Sequence, residues 1–270
     1  MTETDGAADP LVLSRCEDGV ARITLNRPSR LNAFAGSMRE ELADAIETAV
    51  RAASVRVIVI SGSGRAFSAG ADIEVMAGLL ERGDEDAFIR NLEAGERVVR
   101  AIATAPQPVI AALNGAGVGA GASLAIACDL RIASEKAKIG FTFNRIGLHP
   151  DWGATHFLPR LVGSGRAAEL IFSARIIDAR EARDAGIFGE VVADGDFRTR
   201  VTEVAREMAG KAPIALAAVK RTLASGDGAG ALDAALRQER EAQLFCFRSS
   251  DVREGIAAFR EKRSPLFEGR

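Results

Sequence analysis

Hydrophobic residues in the first two thirds of the chain form short runs that alternate with longer helical patterns. The apolar and β-branched runs predict six strands, at Leu11–Arg15, Val20–Leu25, Arg56–Ser61, Pro108–Leu113, Asp129–Ala133 and Glu190–Val192. The apolar spacing between them predicts helices at Ser37–Ala52, Asp86–Ala103 and Ser123–Ala127. Because strands alternate with helices, we expect an α/β fold. The third and fourth runs are apolar on both faces, which predicts the interior of the sheet.

From about residue 196 the pattern becomes wholly helical. The predicted helices are Phe197–Ala209, Pro213–Leu223, Leu232–Phe247 and Asp251–Phe259. This segment has too few core residues to fold alone, so we expect it to pack on the body of the protein or on a neighbouring subunit.

Composition excludes several classes of protein. The 35 basic and 37 acidic residues nearly cancel and form no block of like charge, so nucleic acid and anionic membranes are not expected partners. The first ten residues are polar and acidic, unlike a signal peptide, and no apolar run approaches the ~20 residues of a membrane span. The three cysteines are far apart, which favours a reducing, cytoplasmic compartment over a disulfide framework or a zinc site.

Candidate chemistry must use few histidines, since the chain has only His149 and His156. Sets of several metal-binding or proton-relay histidines are therefore excluded. Catalysis is left to carboxylates, hydroxyls and backbone amides.

Two glycine-rich turns follow predicted strands, at residues 62–73 and 114–123. Their small residues expose backbone amides, and the second turn leads into a helix N-terminus, which is partially positive. We predict that the N–H groups of Ala71 and Ala120 converge on an oxygen that becomes negatively charged, an effect worth about 3–4 kcal/mol per donor. The alternatives are close packing of helix on sheet and dinucleotide binding. Dinucleotide binding is a weak alternative, because the strand that follows begins at Asp129, too soon for the acidic residue that would bind the ribose.

An ordered set of motifs covers nearly all of the chain. The motifs are Ile23–Pro28, Leu31–Ala33, Arg65–Ile73, Pro108–Gly115, Ala127–Ala133 and Leu158–Gly163. In these motifs the chain resembles the crotonase, or enoyl-CoA hydratase/isomerase, superfamily. The resemblance implies a spiral of ββα units, an acyl-CoA thioester as substrate, and neither a metal nor a cofactor apart from the coenzyme A of the substrate. It also implies a helical C-terminal trimerisation segment and a homotrimer or hexamer. We therefore expect a disordered lead-in at 1–10, an acyl-CoA-binding core at 11–195 and an oligomerisation segment at 196–270.

The resemblance also assigns site residues. The family's oxyanion hole falls on Ala71 and Ala120, although the second position is usually glycine, so that Ala120 narrows the hole while keeping its N–H. The residues implied to line the coenzyme A channel are Arg30, Ser68, Ala69, Asp72 and Ile73. Lys262 is implied to reach the phosphates of a ligand bound in this subunit or a neighbouring one.

The acid–base groups distinguish the reactions of the superfamily. Ser123 and Phe143 stand where similar hydratases carry glutamates, so hydration lacks its carboxylate pair. Asp151, in Gly-Leu-His-Pro-Asp, matches the position of the catalytic carboxylate in isomerases of the family. We therefore predict an isomerase in which Asp151 shuttles a proton, moving a double bond or opening the ring of an aromatic-derived CoA ester. Phe143 and Trp152, with Phe141, are expected to form an apolar pocket that raises the pKa of Asp151.

Several alternatives remain open. Asp151 is also suited to cap a helix that starts near Trp152, and Ser123 to the first turn of a helix. His149 and His156 are interpreted as structural or substrate-lining residues, and Pro150 argues against a helix that joins them. Other readings are a hydratase-like enzyme, a non-catalytic CoA-ester-binding protein, and a haloaryl-CoA dehalogenase. The last uses an aspartate at this position but also a histidine that this chain lacks between Ile73 and Asn114.

Overall fold

A computed structural model of the chain describes residues 10–225, 228 and 230–270. The lead-in predicted at 1–10 lies outside the described residues except for Pro10.

The larger of two sheets has six strands. They are β1 (Val12–Glu17), β2 (Val20–Leu25), β3 (Val57–Gly62), β5 (Val109–Leu113), β7 (Leu130–Ser134) and β10 (Glu190–Val192), in that spatial order. β1 runs antiparallel to β2, and the other neighbours are parallel. These are the six predicted strands, with ends displaced by no more than two residues. The strands β3 and β5 lie inside the sheet, as their apolar faces predicted.

A second sheet consists of β4 (Ala66–Ser68), β6 (Ala116–Val118), β8 (Lys138–Gly140) and β9 (Ile177–Asp178), in that order. These strands have only two or three residues each, too few to show the alternation that marks a strand in sequence. The pairs β3–β4, β5–β6 and β7–β8 each place one strand in each sheet before the chain continues into helices. This repeat is the expected spiral of ββα units.

Helices cover both faces of the large sheet. Their bounds are α1 (Met38–Arg51), α2 (Ile73–Arg82), α3 (Glu85–Thr104), α4 (Ala120–Ala127), α5 (Ala154–Val162), α6 (Ser164–Ser173), α7 (Ala179–Asp184), α8 (Phe197–Ala209), α9 (Pro213–Ser225), α10 (Ala231–Arg248) and α11 (Ser250–Glu261). Short 3-10 turns occur at Pro28–Arg30 and Phe143–Ile146. The four predicted C-terminal helices are α8 to α11. Among the described residues, every helix is too short or too polar to cross a membrane.

Two hydrophobic cores position the functional segments. The main core lies between one face of the large sheet and helices α1, α3, α4 and α5, and α8 covers the other face through Phe197, Val201 and Ala205. All eight residues of α4 are buried, because its Gly, Ala and Ser side chains let it lie close to the strands. The C-terminal helix α10 packs against α3 and α5. It therefore reaches the segment that carries Asp151.

Candidate active site

The two glycine-rich turns are in contact with each other. The short strands that precede them, β4 and β6, pair in parallel. Gly70 has a φ of +84°, and a Cβ at this position would lie 2.7 Å from the Val118 carbonyl oxygen and 3.2 Å from the Ala120 nitrogen. Glycine is therefore required at residue 70 both by its conformation and by the approach of the second turn.

The N–H groups of Ala71 and Ala120 flank this contact. Phe34 bonds to both neighbours of Ala71: its N–H donates to the Gly70 carbonyl (2.8 Å), and its carbonyl accepts from the Asp72 N–H (3.2 Å). Ala120 is the first residue of α4, where amides have no partner within the helix. Within the described part of the chain, no acceptor bonds to either N–H. Both predicted donors are thus available to a ligand oxygen.

Four of the five predicted channel residues, at positions 68, 69, 72 and 73, lie in the segment that leads into α2. The Ser68 hydroxyl donates to the Asn32 carbonyl (2.8 Å) and accepts from the Gly70 N–H (3.2 Å). Asp72 caps α2 by accepting from the Glu74 N–H (2.9 Å) and forms an ion pair with Arg27 (2.6 Å). Burial alone would raise the pKa of Asp72, but the bonds from Arg27 and the Glu74 amide outweigh it and hold the pKa low. The side chains of Ser68 and Asp72 therefore shape the turn.

The other predicted channel residues differ in exposure. Arg30 and Ala69 are exposed, and Ile73 is the half-buried first residue of α2. Lys262 is exposed at the end of α11. Ion pairs from Arg260 to Glu74 and Glu81 connect α11 to α2 of the same chain.

Asp151 lies in the turn that precedes α5, where it is held by the C-terminal helix α10. Its Oδ2 accepts a hydrogen bond from Gln243 Nε2 (3.1 Å), whereas Oδ1 is buried and has no partner among the described residues. Burial raises the pKa of Asp151 to about 7, and the nearby negative charge of Glu239 adds to the effect, while Arg39 and the bond from Gln243 oppose it. The carboxyl group can thus both take up and release a proton near neutral pH.

The capping interpretation of Asp151 is wrong, because another carboxylate occupies the end of α5. The helix begins at Ala154, two residues later than expected, and Glu239 of α10 accepts hydrogen bonds from the N–H groups of Gly153 (2.7 Å) and Thr155 (2.8 Å). The Thr155 hydroxyl also donates to Glu239 (2.5 Å). Glu239 and Gln243 stand four residues apart on one face of α10. Glu239 accepts hydrogen bonds from the start of α5, and Gln243 donates one to Asp151. Helix α10 therefore holds both the turn and the carboxyl group in place.

Comparison with known proteins places this arrangement in a family. A family profile described as enoyl-CoA hydratase/isomerase matches residues 15–270. The chain belongs to the enoyl-CoA hydratase/isomerase family. It is similar to the 1,2-epoxyphenylacetyl-CoA isomerase of Escherichia coli (36% identity over 96% of this chain and 98% of that protein) and to a probable enoyl-CoA hydratase of Rhodobacter capsulatus (42%, over 94% and 96%).

A solved structure of an enoyl-CoA hydratase from Mycobacterium avium subsp. paratuberculosis superposes with a TM-score of 0.87 at 33% identity, covering 96% of this chain and 99% of that one. The spiral of ββα units is therefore the crotonase fold of this family.

At the two positions where family hydratases were expected to carry glutamates, the structure has an apolar or hydroxyl side chain. Ser123 is fully buried in α4, and its hydroxyl donates to the Gly119 carbonyl (3.4 Å). Phe143 is buried at the start of a 3-10 turn. Trp152 has a φ of +56° and packs on the Phe34 ring, with 4.7 Å between ring centroids. The ring of Trp152, the residue after Asp151, is therefore packed in the main hydrophobic core.

The two histidines have partners of their own. His149 Nδ1 lies 2.6 Å from the Pro150 carbonyl oxygen, and burial lowers its pKa. His156 is buried in α5, edge-on to Phe157. The described ranges contain no group of three His, Cys, Asp or Glu side chains that could hold a metal ion.

Proposed function

We propose that this member of the enoyl-CoA hydratase/isomerase family is an acyl-CoA isomerase. The N–H groups of Ala71 and Ala120 bind the thioester oxygen, and Asp151 moves the proton. The observation that carries the proposal is the buried Asp151 carboxyl group, whose pKa lies at about 7. In addition, Ser123 and Phe143 occupy the two positions at which hydration would need carboxylates.

The reaction uses no other reactant. Asp151 as a carboxylate removes a proton from a carbon next to the double bond or the thioester, and the electron pair of the broken C–H bond moves into an enolate. The charge on the enolate oxygen is stabilised by the two N–H groups, more strongly than the neutral carbonyl. Protonated Asp151 then returns the proton to a different carbon, and the electron pair shifts back to re-form the thioester carbonyl.

The relatives support one class of acyl group and one rival reaction. The similarity to 1,2-epoxyphenylacetyl-CoA isomerase supports CoA esters derived from aromatic compounds. The similarity to the probable enoyl-CoA hydratase of Rhodobacter capsulatus and to the 2,3-dehydroadipyl-CoA hydratase of Escherichia coli favours hydration as the second candidate. Hydration would require a water molecule activated by Asp151 alone.

A panel of CoA esters and one substitution test the proposal. The wild-type protein is incubated with 2-enoyl-, 3-enoyl- and aryl-CoA esters. Products are separated by liquid chromatography and followed by absorbance and mass spectrometry, since isomers keep the substrate mass and hydration adds one water. Asp151→Asn should reduce isomerisation by at least about a thousandfold while ester binding persists. Asp44→Asn, at an exposed ion pair on α1, is the matched control. Hydrated products or an active Asp151→Asn variant would refute the assignment.

We also propose that coenzyme A occupies the channel beside Arg30, Ala69 and Ile73, with Lys262 near its phosphates, and that the C-terminal helices mediate a homotrimer or hexamer. Large apolar side chains on these helices are exposed in the single chain, with Ile214 at 84%, Leu223 at 76% and Phe245 at 78%. We propose that these side chains form one apolar patch, which is typical of an interface. Sedimentation velocity of wild type and of Ile214→Asp tests the assembly, since a wild-type monomer would contradict it.

A further inference from the structure

Arg39 of α1 is a buried cation with little compensation from the protein. Arg39 is only 6% exposed, and its guanidinium group donates a long hydrogen bond of 3.5 Å to Asn91 Oδ1 of α3. In the described part of the chain, no carboxylate oxygen lies within 4.0 Å of it. A guanidinium group offers five N–H donors, and a buried charge is costly unless its donors are satisfied.

The position of Arg39 links it to both parts of the active site. Its guanidinium carbon lies 5.6 Å from the centroid of the Phe34 ring. The backbone of Phe34 brackets Ala71, and its ring packs on Trp152, the residue after Asp151. Burial lowers the pKa of Arg39, and the negative charge of Asp151 opposes this effect. Phe34 therefore connects the guanidinium group with the turn that carries Ala71 and with the residue that follows Asp151.

Two further buried polar atoms lie in this region without a partner among the described residues. They are Oδ1 of Asp151 and Oε1 of Gln243. Buried polar groups are normally satisfied, so these two oxygens and the Arg39 guanidinium group are suited to bind polar groups of a ligand.

We infer that Arg39, oriented by Asn91, binds an oxygen atom on the acyl group of the substrate, so that the preferred substrates are oxygenated acyl-CoA esters. The inference rests on the proposed function, which places the acyl group between Ala71, Ala120 and Asp151. The oxygen belongs to a neutral group, namely a hydroxyl, a carbonyl or a cyclic ether.

Charge balance selects a neutral oxygen over a carboxylate. Asp151 and Glu239 already supply two carboxyl groups in this region against the single charge of Arg39, and the pKa values of both are raised by burial. A carboxylate on the acyl group would add a further negative charge to a poorly solvated site that already disfavours ionised carboxyl groups. A neutral oxygen accepts from the guanidinium group without this penalty.

Binding of unreactive esters tests the inference independently of turnover. Phenylacetyl-CoA is compared with its 2-, 3- and 4-hydroxy derivatives by titration calorimetry and by quenching of Trp152, the only tryptophan of the chain. At least one hydroxy ester should bind about tenfold more tightly than phenylacetyl-CoA. Arg39→Met should reduce that preference to less than about twofold, and Arg39→Lys should retain part of it. Arg51→Met, at the exposed end of the same helix, should leave it unchanged.

Three results would overturn the inference. They are the absence of any hydroxyl preference in the wild-type protein, an unchanged preference in Arg39→Met, and a preference of the wild type for adipyl-CoA over hexanoyl-CoA that depends on Arg39. The first needs no variant, so misfolding of Arg39→Met cannot obscure it. If no ester is isomerised but the Arg39-dependent preference is present, the proposed reaction fails while the oxygen site stands. If esters are isomerised but no Arg39-dependent preference is found, the proposed reaction stands and the oxygen site is refuted.

Discussion

Gln243 donates a hydrogen bond of 3.1 Å to Asp151 Oδ2, although 92 positions separate the two residues in the chain. The bond occupies one carboxyl oxygen and leaves Oδ1 without a partner among the described residues. The oxygen that exchanges the proton with substrate is therefore expected to be Oδ1. Because the amide of Gln243 stabilises the charged carboxylate, it also sets the pH at which Asp151 acts.

Replacing Gln243 with leucine should raise the pKa of Asp151, since a bond that favours its carboxylate is lost. For a reaction that starts with proton removal, kcat/KM of the wild type rises with pH around a midpoint near 7. In Gln243→Leu this midpoint should move to higher pH, and kcat should fall about tenfold as the carboxyl group loses its orientation. Gln238→Leu, exposed on the same helix, is the control. An unmoved midpoint in a folded Gln243→Leu protein would contradict the role of this bond.

Glu239→Gln should shift the same midpoint in the opposite direction. Removal of the negative charge of Glu239 lowers the pKa of Asp151, because that charge contributes to its rise. The variant also weakens the cap on the Gly153 and Thr155 amides, so the free energy of unfolding should decrease by about 1–2 kcal/mol. Rate profiles and urea unfolding measure the two effects, with Glu241→Gln, exposed on α10, as control. A midpoint that rose would show that Glu239 does not act through its charge.

The stability of the protein should depend on pH through Asp151. A carboxyl group whose pKa is higher in the folded state binds its proton more tightly there, so its contribution is fully present below its unfolded pKa and is lost as pH rises through about 7. The loss between about pH 4 and pH 8 can reach about 4 kcal/mol. Asp151→Asn should therefore be more stable than wild type at pH 8.5 and similar to it at pH 4. Parallel curves of unfolding free energy against pH for the two proteins would rule this out.

Gly95→Ala tests the packing behind the catalytic turn. A Cβ at Gly95 of α3 would overlap the indole nitrogen of Trp152, so the ring must move. We expect a loss of about 1–3 kcal/mol in unfolding free energy and a shifted fluorescence maximum of Trp152. Gly165→Ala in α6, where a Cβ meets nothing within 4 Å, should be neutral or slightly stabilising. Equal stability of the two variants would argue against a tightly packed indole.

The sequence predicted those parts of the fold that have a local signal. The six strands of the large sheet and the helices α8 to α11 have periodic patterns, and the glycine-rich turns indicated Ala71 and Ala120 as amide donors. The strands of the small sheet are too short for such a pattern. Neither Glu239 nor Gln243 could be assigned, since a single polar residue in an amphipathic helix normally faces solvent. Their roles depend on partners 84 to 92 positions away.

The same separation fixes when the site can form during synthesis. The amides of Gly153 and Thr155 leave the ribosome well before Glu239, the residue that accepts their hydrogen bonds. Domains fold as they are synthesised, from the N-terminus, so both sheets can form while the end of α5 is still uncapped. Asp151 then reaches its final protonation equilibrium only when α10 docks. An incomplete chain would thus carry both amide donors but an unrestrained carboxyl group, which links proton transfer to completion of translation.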